Sequence, residues 1–192
     1  MKEVFLNHSM NFIINNRKDL TEEEKEKLSY GLEGIYMNIT KLTIIFLVAL
    51  LLNIIKEFLI TLILFNIIRF LGFGFHASKS IVCLICSAIL IVGFPYLFTT
   101  FEISLTLKII LCCVSVIAFI LYAPADTEKR PLTNKKKRII RKVAASCLAG
   151  IYSIIVIVFD GYLISDLFLA ALMIETVFIL PIIYKIFGES YN

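Results

Sequence analysis

The sequence predicts an all-α membrane protein, with about six transmembrane or re-entrant helices and interfacial helices at its N-terminal end. Hydrophobic residues make up 59% of the 192 residues and the mean hydropathy is +0.91, whereas a soluble domain is roughly 45–50% apolar. Apolar runs follow one another along the chain with short polar segments between them, as in a multi-span bundle. Residues 1–192 are therefore interpreted as one integral membrane domain, whose chemistry must use the spans and their ends.

Residues 1–40 are polar enough to lie outside the bilayer, in the cytoplasm or at the membrane interface. Thr21 followed by Glu24 is a capping box, which predicts the start of a helix. Apolar residues then recur at spacings of four, three and four: Leu28, Leu32, Ile35 and Ile39. This face would rest on the membrane or pack against the spans. The stretch around Met10 is interpreted as a further short interfacial helix, with a flexible arm as the alternative.

Residues 41–187 hold the predicted membrane spans. The apolar run 42–70 would be about 43 Å long as a single helix, at ~1.5 Å per residue, while a bilayer core is roughly 30 Å thick. We therefore expect two helices, 38–55 and 57–70, of which the second is short for a full span. The other predicted spans are 81–98, 104–123, 143–164 and 167–187.

The segment 124–142 carries eight lysines and arginines against two acidic residues. Cytoplasmic loops collect Lys and Arg, so this basic segment is predicted to be a cytoplasmic loop. Counting spans from it places both termini and residues 70–80 inside the cell, and it places 99–103 and 160–166, which lack Lys and Arg, outside. The protein would thus be a multi-pass cell-membrane protein. The basic run is explained by this topology without nucleic acid, and it could also attract an acidic peptide or anionic membrane lipid.

His76 and Cys83 form a candidate catalytic dyad at the edge of a predicted span. Cysteine proteolysis needs a thiolate, a base and a protected place for the acyl-enzyme. Residues seven apart on one continuous helix are ~10.5 Å apart along its axis, too far for a contact of roughly 3 Å. The dyad therefore requires a break, with His76 in a loop and Cys83 in the first turn of the next helix, where the helix dipole favours thiolate. Spacing alone favours the alternative, an interfacial histidine beside a structural cysteine.

Other polar residues in the apolar segments indicate a function less clearly than His76 and Cys83 do. Glu175 stands in the middle of the span 167–187, where an ionisable side chain either has a function or is neutral and hydrogen-bonded. Ser87 follows Cys83 by one helical turn and either supports the site or packs. Lys108 and Asp160 lie near span ends and are expected to snorkel toward the interface or to face water.

Cofactor sites find little support in the sequence. His76, Cys83 and Cys86 make three possible metal ligands, but no loop contains a histidine or cysteine pair to complete a site. Gly72 and Gly74 lack the third glycine of a nucleotide-binding loop and are interpreted as sources of loop flexibility. All five cysteines lie in or beside apolar segments, which is not a disulfide framework. We therefore predict neither a metal nor another cofactor.

Arg69, Gly74, His76-Ala77 and Cys83 resemble the signature of the accessory gene regulator B (AgrB) family, membrane endopeptidases of Gram-positive quorum sensing. The resemblance extends over most of the chain. Three further segments are similar to the start of the family's first span, its cytoplasmic loop and its last span: 38–42, 122–131 and 174–181. Phe73 is a departure, since many members have a second glycine at that position.

The resemblance implies that Cys83 is the nucleophile and His76 the base, with Arg69 and Gly74 supporting the site. Ser87 and Glu175 are further candidate supporting residues because of their positions in the sequence. Members of this family process a propeptide, AgrD, which has an amphipathic N-terminal half and an acidic C-terminal tail. Cys83 would release the tail and hold the remainder as a thioester, which an internal cysteine of the substrate converts to a thiolactone. A homodimer is typical of the family. An alternative function, which is not enzymatic, is that of a membrane transporter or export partner for a small peptide.

Overall fold

The computed structural model describes residues 2–17, 20–74, 80–126 and 134–187, with the backbone alone described for 80–83. These residues form eight α-helices and no β-strand, which confirms the all-α fold class. The helices are α1 (Lys2–Asn16), α2 (Glu22–Leu51), α3 (Ile55–Gly72), α4 (Ser80–Thr100), α5 (Leu105–Tyr122), α6 (Lys135–Val158), α7 (Leu163–Ile179) and α8 (Pro181–Phe187).

The chain divides into two compact units, Met1–Leu47 and Val48–Asn192. In the first unit, Lys2 of α1 forms an ion pair with Glu33 of α2. The predicted capping box is present: the Thr21 N–H donates to Glu24 Oε2 at 2.9 Å and the Glu24 N–H donates to Thr21 Oγ1 at 3.3 Å. From this cap α2 runs unbroken to Leu51, so the amphipathic segment and the first predicted span are one helix and residue 40 is not a structural boundary.

The predicted break between the first two apolar helices is confirmed at residues 52–54. Asn53 has φ 57°, in the left-handed region that ends a helix. The Ile54 N–H still donates to the Ala49 oxygen at 3.0 Å, and α3 then begins at Ile55. Lys56 therefore lies in the first turn of α3.

In the second unit, α7 is the central helix, since α3, α4, α5 and α6 all pack against it. Eleven of its seventeen residues are buried. They are Ser165, Leu167, Leu169, Ala170, Ala171, Leu172, Ile174, Glu175, Thr176, Phe178 and Ile179. A helix with buried residues all around its circumference is surrounded by protein. Any polar side chain on α7 therefore needs a partner within the bundle.

Two helices have ends that differ from the bounds predicted for the spans. α6 begins at Lys135 rather than near 143, because the Asn134 side chain accepts hydrogen bonds from the Lys136 and Lys137 N–H groups at 3.0 and 3.2 Å and caps the helix inside the basic run. The last apolar segment is two helices, α7 and α8, bent by 59°. Pro181, which has no N–H to continue the helix ladder, is the first residue of α8.

Among the described residues, three helices are long and apolar enough to cross a membrane: α2, α5 and α6. The bent pair α7–α8 makes a fourth if it is counted as one span. In α4 the side chains are described for Leu84–Thr100 only, and α3 carries three charged residues, Lys56, Glu57 and Arg69. Each of the six predicted spans corresponds to a helix, and within the described part of the chain three of these helices, or four with the bent pair, meet the length and composition of a full span.

A cluster of ion pairs around the buried Lys108 joins the start of α5 to the turn between α6 and α7 and to the start of α7. Lys108 is 3% exposed, and its ammonium lies 2.8 Å from carboxylate oxygens of both Asp160 and Asp166. It also donates to Ser165 Oγ at 3.2 Å, and that hydroxyl donates to the Val156 oxygen at 2.7 Å. The expectation that Lys108 and Asp160 face water is therefore wrong for the lysine, because two carboxylates compensate its burial.

Replacing Lys108 by Met is expected to lower the free energy of unfolding by about 2 kcal/mol, since it removes charged hydrogen bonds to partners that stay partly hydrated. The hydrogen bond from Lys108 also holds the pKa of Asp160 below its ordinary value. A lowered carboxyl pKa stabilises the fold above the unfolded-state pKa, and this contribution is lost as the pH falls through the folded value. The variant should therefore show weaker acid destabilisation. Denaturant titration in detergent at pH 7 and pH 4 measures both effects, with the exposed Lys136 changed to Met as control. Equal stability of the two variants would contradict the prediction.

Candidate functional site

The chain leaves α3 through a tight turn that leads toward His76. Phe73 has φ 64° and Gly74 has φ 85°, so two consecutive residues are in the left-handed region. This backbone is unfavourable for phenylalanine and accessible to glycine. The Phe73 N–H still donates to the Arg69 oxygen at 2.9 Å. A non-glycine residue keeps such a conformation only where its surroundings hold it.

The segment after α5 holds this turn through the backbone. The Gly74 N–H donates to the Ala125 oxygen at 3.0 Å, and the Ala125 N–H donates to the Gly72 oxygen at 2.9 Å, forming an isolated parallel bridge. The Tyr184 hydroxyl of α8 donates to the same Ala125 oxygen at 3.0 Å. Ala125 is fully buried, so the end of α3 and the beginning of the basic loop fix each other in place.

An ion pair lies beneath the turn. Arg69 Nη1 of α3 is 3.2 Å from Glu175 Oε2 of α7, and Glu175 is fully buried. The guanidinium also lies over the rings of Phe178 and Phe65, with 4.8 and 5.3 Å from its central carbon to the ring centroids. These contacts stabilise a cation that is partly removed from water.

Glu175 lies close to the bend between α7 and α8, inside the segment that was predicted as the last span. Since α7 ends at Ile179 and bends into α8, Glu175 lies in the last part of α7, at the end that faces the turn. The residue that the sequence placed in the bilayer interior is thus part of the structure that precedes His76.

The second carboxylate oxygen, Glu175 Oε1, is buried and has no hydrogen-bond partner among the described residues. It lies against the glycine backbone: a Cβ at Gly72 would come within 2.7 Å of it, and a Cβ at Gly74 within 3.3 Å. The interpretation of these glycines as sources of flexibility is therefore wrong. Gly72 permits close approach to the carboxylate, and Gly74 permits both close approach and a positive φ.

Two arginines of α6 also contact the end of α3, the turn after it and the segment that follows α5. Arg141 donates from Nη1 to the Phe70 oxygen at 2.8 Å, and its central carbon lies 4.6 Å from the centroid of the Phe73 ring. Arg138 Nη2 is 2.8 Å from Oδ1 of Asp126, which is 2% exposed. Neither role was predicted from the sequence. Their signal was a spacing of three within the basic run, which places both side chains on one helical face.

The structure brings together three of the six predicted site residues: Arg69, Gly74 and Glu175. His76 and the side chain of Cys83 lie outside the described residues, so their separation stays a prediction. The backbone of α4 begins at Ser80, which places Cys83 in the first turn, as expected. Ser87 follows one turn later on α4 and is half-buried.

Within the described ranges, no group of three His, Cys, Asp or Glu side chains lies close enough to hold a metal ion. Two of the three possible ligands named from the sequence, His76 and Cys83, are not among the described side chains. The expected lack of a metal cofactor therefore stays a prediction.

Comparison with known families decides what kind of protein carries this arrangement. The model of the family "Accessory gene regulator B" matches residues 6–186. The chain belongs to this family. The match includes Arg69, the glycine turn, the candidate dyad and Glu175, and it confirms the resemblance inferred from those residues.

Individual AgrB relatives match over most of their length. An AgrB-like protein of Clostridium acetobutylicum is 36% identical over 168 residues, which cover 86% of this chain and 79% of the relative. The accessory gene regulator protein B of Staphylococcus aureus strain MW2 is 32% identical, with 90% and 91% covered. That of the bovine strain RF122 is 26% identical, with 89% and 90% covered. No solved structure matches the chain.

Proposed function

We propose that this AgrB-family protein is a membrane cysteine endopeptidase of quorum sensing, which removes the C-terminal tail of an AgrD-like propeptide and promotes cyclisation of the remainder to a thiolactone. The observation that carries the proposal is the held turn at Gly72–Gly74. Backbone bridges, the Arg69–Glu175 pair and Arg141 hold this turn, two residues before the candidate base. Rigid support of this kind is what a general base needs in order to meet its nucleophile.

The first chemical step forms an acyl-enzyme. His76 takes the proton of the Cys83 thiol, and the thiolate attacks the carbonyl carbon of the peptide bond before the tail. The imidazolium then gives that proton to the leaving amine, the C–N bond breaks and the tail departs with a free amino group. The remainder of the propeptide stays on Cys83 as a thioester. The position of Cys83 in the first turn of α4 favours the thiolate through the helix dipole.

The second step is thioester exchange. The thiolate of an internal cysteine of the propeptide attacks the Cys83 thioester, the bond between the acyl carbon and the Cys83 sulfur breaks, and Cys83 leaves as thiolate. One thioester replaces another, so the exchange is nearly balanced in free energy. The ring then forms in preference to the hydrolysed peptide only if water is kept from the intermediate and the peptide is held bent.

Charge on α6 supports the choice of substrate. Arg138 and Arg141 contact the protein's own segments, whereas Lys135, Lys136 and Lys137 are exposed at the start of the helix. These lysines would attract the acidic tail and anionic membrane lipid. Binding of the amphipathic half of the propeptide in the membrane plane would raise its local concentration beside the enzyme. A homodimer, the predicted cytoplasmic site and the inside position of both termini belong to the same proposal.

The alternative, a transporter or export partner, has less support. It was based on ionisable residues within the predicted spans, which can mark a substrate pathway. Glu175 pairs with Arg69, and Lys108 pairs with two carboxylates. These charges have local partners that account for their burial.

Reconstitution tests the proposed function directly. Purified protein in liposomes, given the cognate propeptide and no other component, is expected to release the tail and form the cyclic peptide. With a propeptide whose internal cysteine is changed to Ala, the tail should still be released, while the remainder accumulates as a hydroxylamine-sensitive adduct on Cys83. If folded protein releases no tail in either experiment, the endopeptidase assignment is wrong.

A further inference from the structure

We propose that Arg141 is a specificity-determining residue, whose guanidinium binds a carboxylate in the acidic tail of the peptide substrate. This inference rests on the proposed function, in which that tail is the part of the propeptide that is released. It goes beyond the long-range attraction that exposed lysines provide, because it assigns one side chain to a direct contact with the substrate.

The first argument is the way in which positive charges near the turn after α3 are compensated. Among the described residues, three arginines lie around this turn, and two of them pair with buried carboxylates. Arg69 lies 3.2 Å from Glu175, and Arg138 lies 2.8 Å from Asp126. Arg141 forms no ion pair within the part of the chain that the structure describes. Of these three cations, it is the one that a carboxylate can approach without displacing a described partner.

The second argument is that Arg141 is already held in place. Its Nη1 donates to the Phe70 oxygen at 2.8 Å, and its central carbon lies 5.4 Å from the ring centroid of Phe70 and 4.6 Å from that of Phe73. Phe70 is 72% exposed and Arg141 is half-buried, so these contacts lie at the protein surface. A guanidinium that is fixed in advance loses less side-chain entropy when it binds a partner.

The third argument is the number of hydrogen-bond donors that Arg141 retains. A guanidinium has five N–H groups, arranged as a fork that fits the two oxygens of a carboxylate. The bond to the Phe70 oxygen uses one of these donors, and the ring contacts depend on the positive charge. No other hydrogen bond joins Arg141 to the described residues. The remaining donors therefore suit a carboxylate that another molecule supplies.

The position of Arg141 favours a peptide carboxylate over the phosphate of an anionic lipid, which a guanidinium also binds. Its contact with Phe73 places it directly beside Gly74, a predicted site residue that lies against Glu175. A group bound to Arg141 is therefore next to the predicted site residues that the structure brings together. Lipid binding is the competing outcome in the test.

The test measures the affinity of the propeptide for Cys83→Ala protein in phosphatidylcholine nanodiscs, by fluorescence anisotropy of a labelled propeptide. Binding is measured rather than cleavage, because Arg141 also contacts the turn and its loss could change a rate indirectly. Adding Arg141→Met should weaken binding about tenfold, the lower end for a hydrogen bond between charged groups. Equal affinity with and without Arg141→Met would overturn the inference.

Propeptides in which single acidic tail residues are changed to their amides identify the partner of Arg141. One of them should bind about tenfold more weakly to protein that retains Arg141, and it should bind the Arg141→Met variant with no further loss. General damage to the fold or to the turn would instead weaken the binding of every peptide equally. That result would overturn the inference.

Lys136→Met is the matched control, because Lys136 is an exposed cation near the start of the same helix. It should weaken binding less than about twofold, and a loss equal to that of Arg141→Met would contradict a specific contact. An effect of Arg141→Met that appears only in nanodiscs containing phosphatidylglycerol would show that Arg141 binds lipid, and the inference would be wrong. Since Cys83→Ala protein is used throughout, a native protein that cuts no propeptide would refute the proposed function without altering these affinities.

Discussion

Replacing Cys83 by Ala is expected to abolish release of the propeptide tail, with a loss of rate on the order of 10⁴ to 10⁶, because the nucleophile and its acyl-enzyme are both removed. His76→Ala should cause a comparable loss, since without the base the thiol stays protonated at neutral pH. Each variant is measured separately, by co-expression with the cognate propeptide and immunoblot or mass detection of the released tail.

Cys86→Ala is the matched control for the cysteine variant. Cys86 lies on the same helix, three residues after Cys83, and is half-buried. The Cys86 variant should keep tail release near the native rate, which separates loss of a particular thiol from general damage to α4. If the Cys83 variant still cuts the propeptide at a native rate, the assignment of Cys83 as nucleophile cannot stand.

Hydropathy predicted the helices well because burial in lipid or protein demands apolar residues in either case. It did not predict where helices break. The bend after Ile179 depends on Pro181, and the early start of α6 depends on a single cap by Asn134. A window average of hydropathy is insensitive to both features, since each is a property of one residue.

The candidate site, too, could be predicted only in part from the sequence. The roles of His76 and Cys83 could be inferred from thiol and imidazole chemistry and from family resemblance, which require no coordinates. The supporting frame could not be inferred, because its contacts join residues far apart in sequence. Arg69 meets Glu175 across 106 positions, and Tyr184 meets Ala125 across 59. Only the fold shows that Lys108, Arg138 and Arg141 are bound by partners within the protein.

Arg69→Met is expected to lower the free energy of unfolding by about 3 kcal/mol, because it leaves the fully buried Glu175 without its cation. The cost is at the low end for a broken buried pair, since the Arg69 side chain is 24% exposed. The same change should reduce tail release at least tenfold, because Glu175 would no longer be held beside the glycine turn. Denaturant titration in detergent and the cleavage assay measure the two effects.

The double variant Arg69→Met, Glu175→Leu separates stability from function. Replacing both partners of a buried ion pair by apolar residues is often nearly neutral for stability, so most of the lost unfolding free energy should return. Tail release should stay low, since the carboxylate that lies against Gly72 and Gly74 is gone and the turn before the candidate base loses that contact. A pair that only holds α3 against α7 predicts the opposite, that cleavage recovers together with stability. The double variant thus distinguishes an ion pair that holds α3 against α7 from one that also supports the glycine turn.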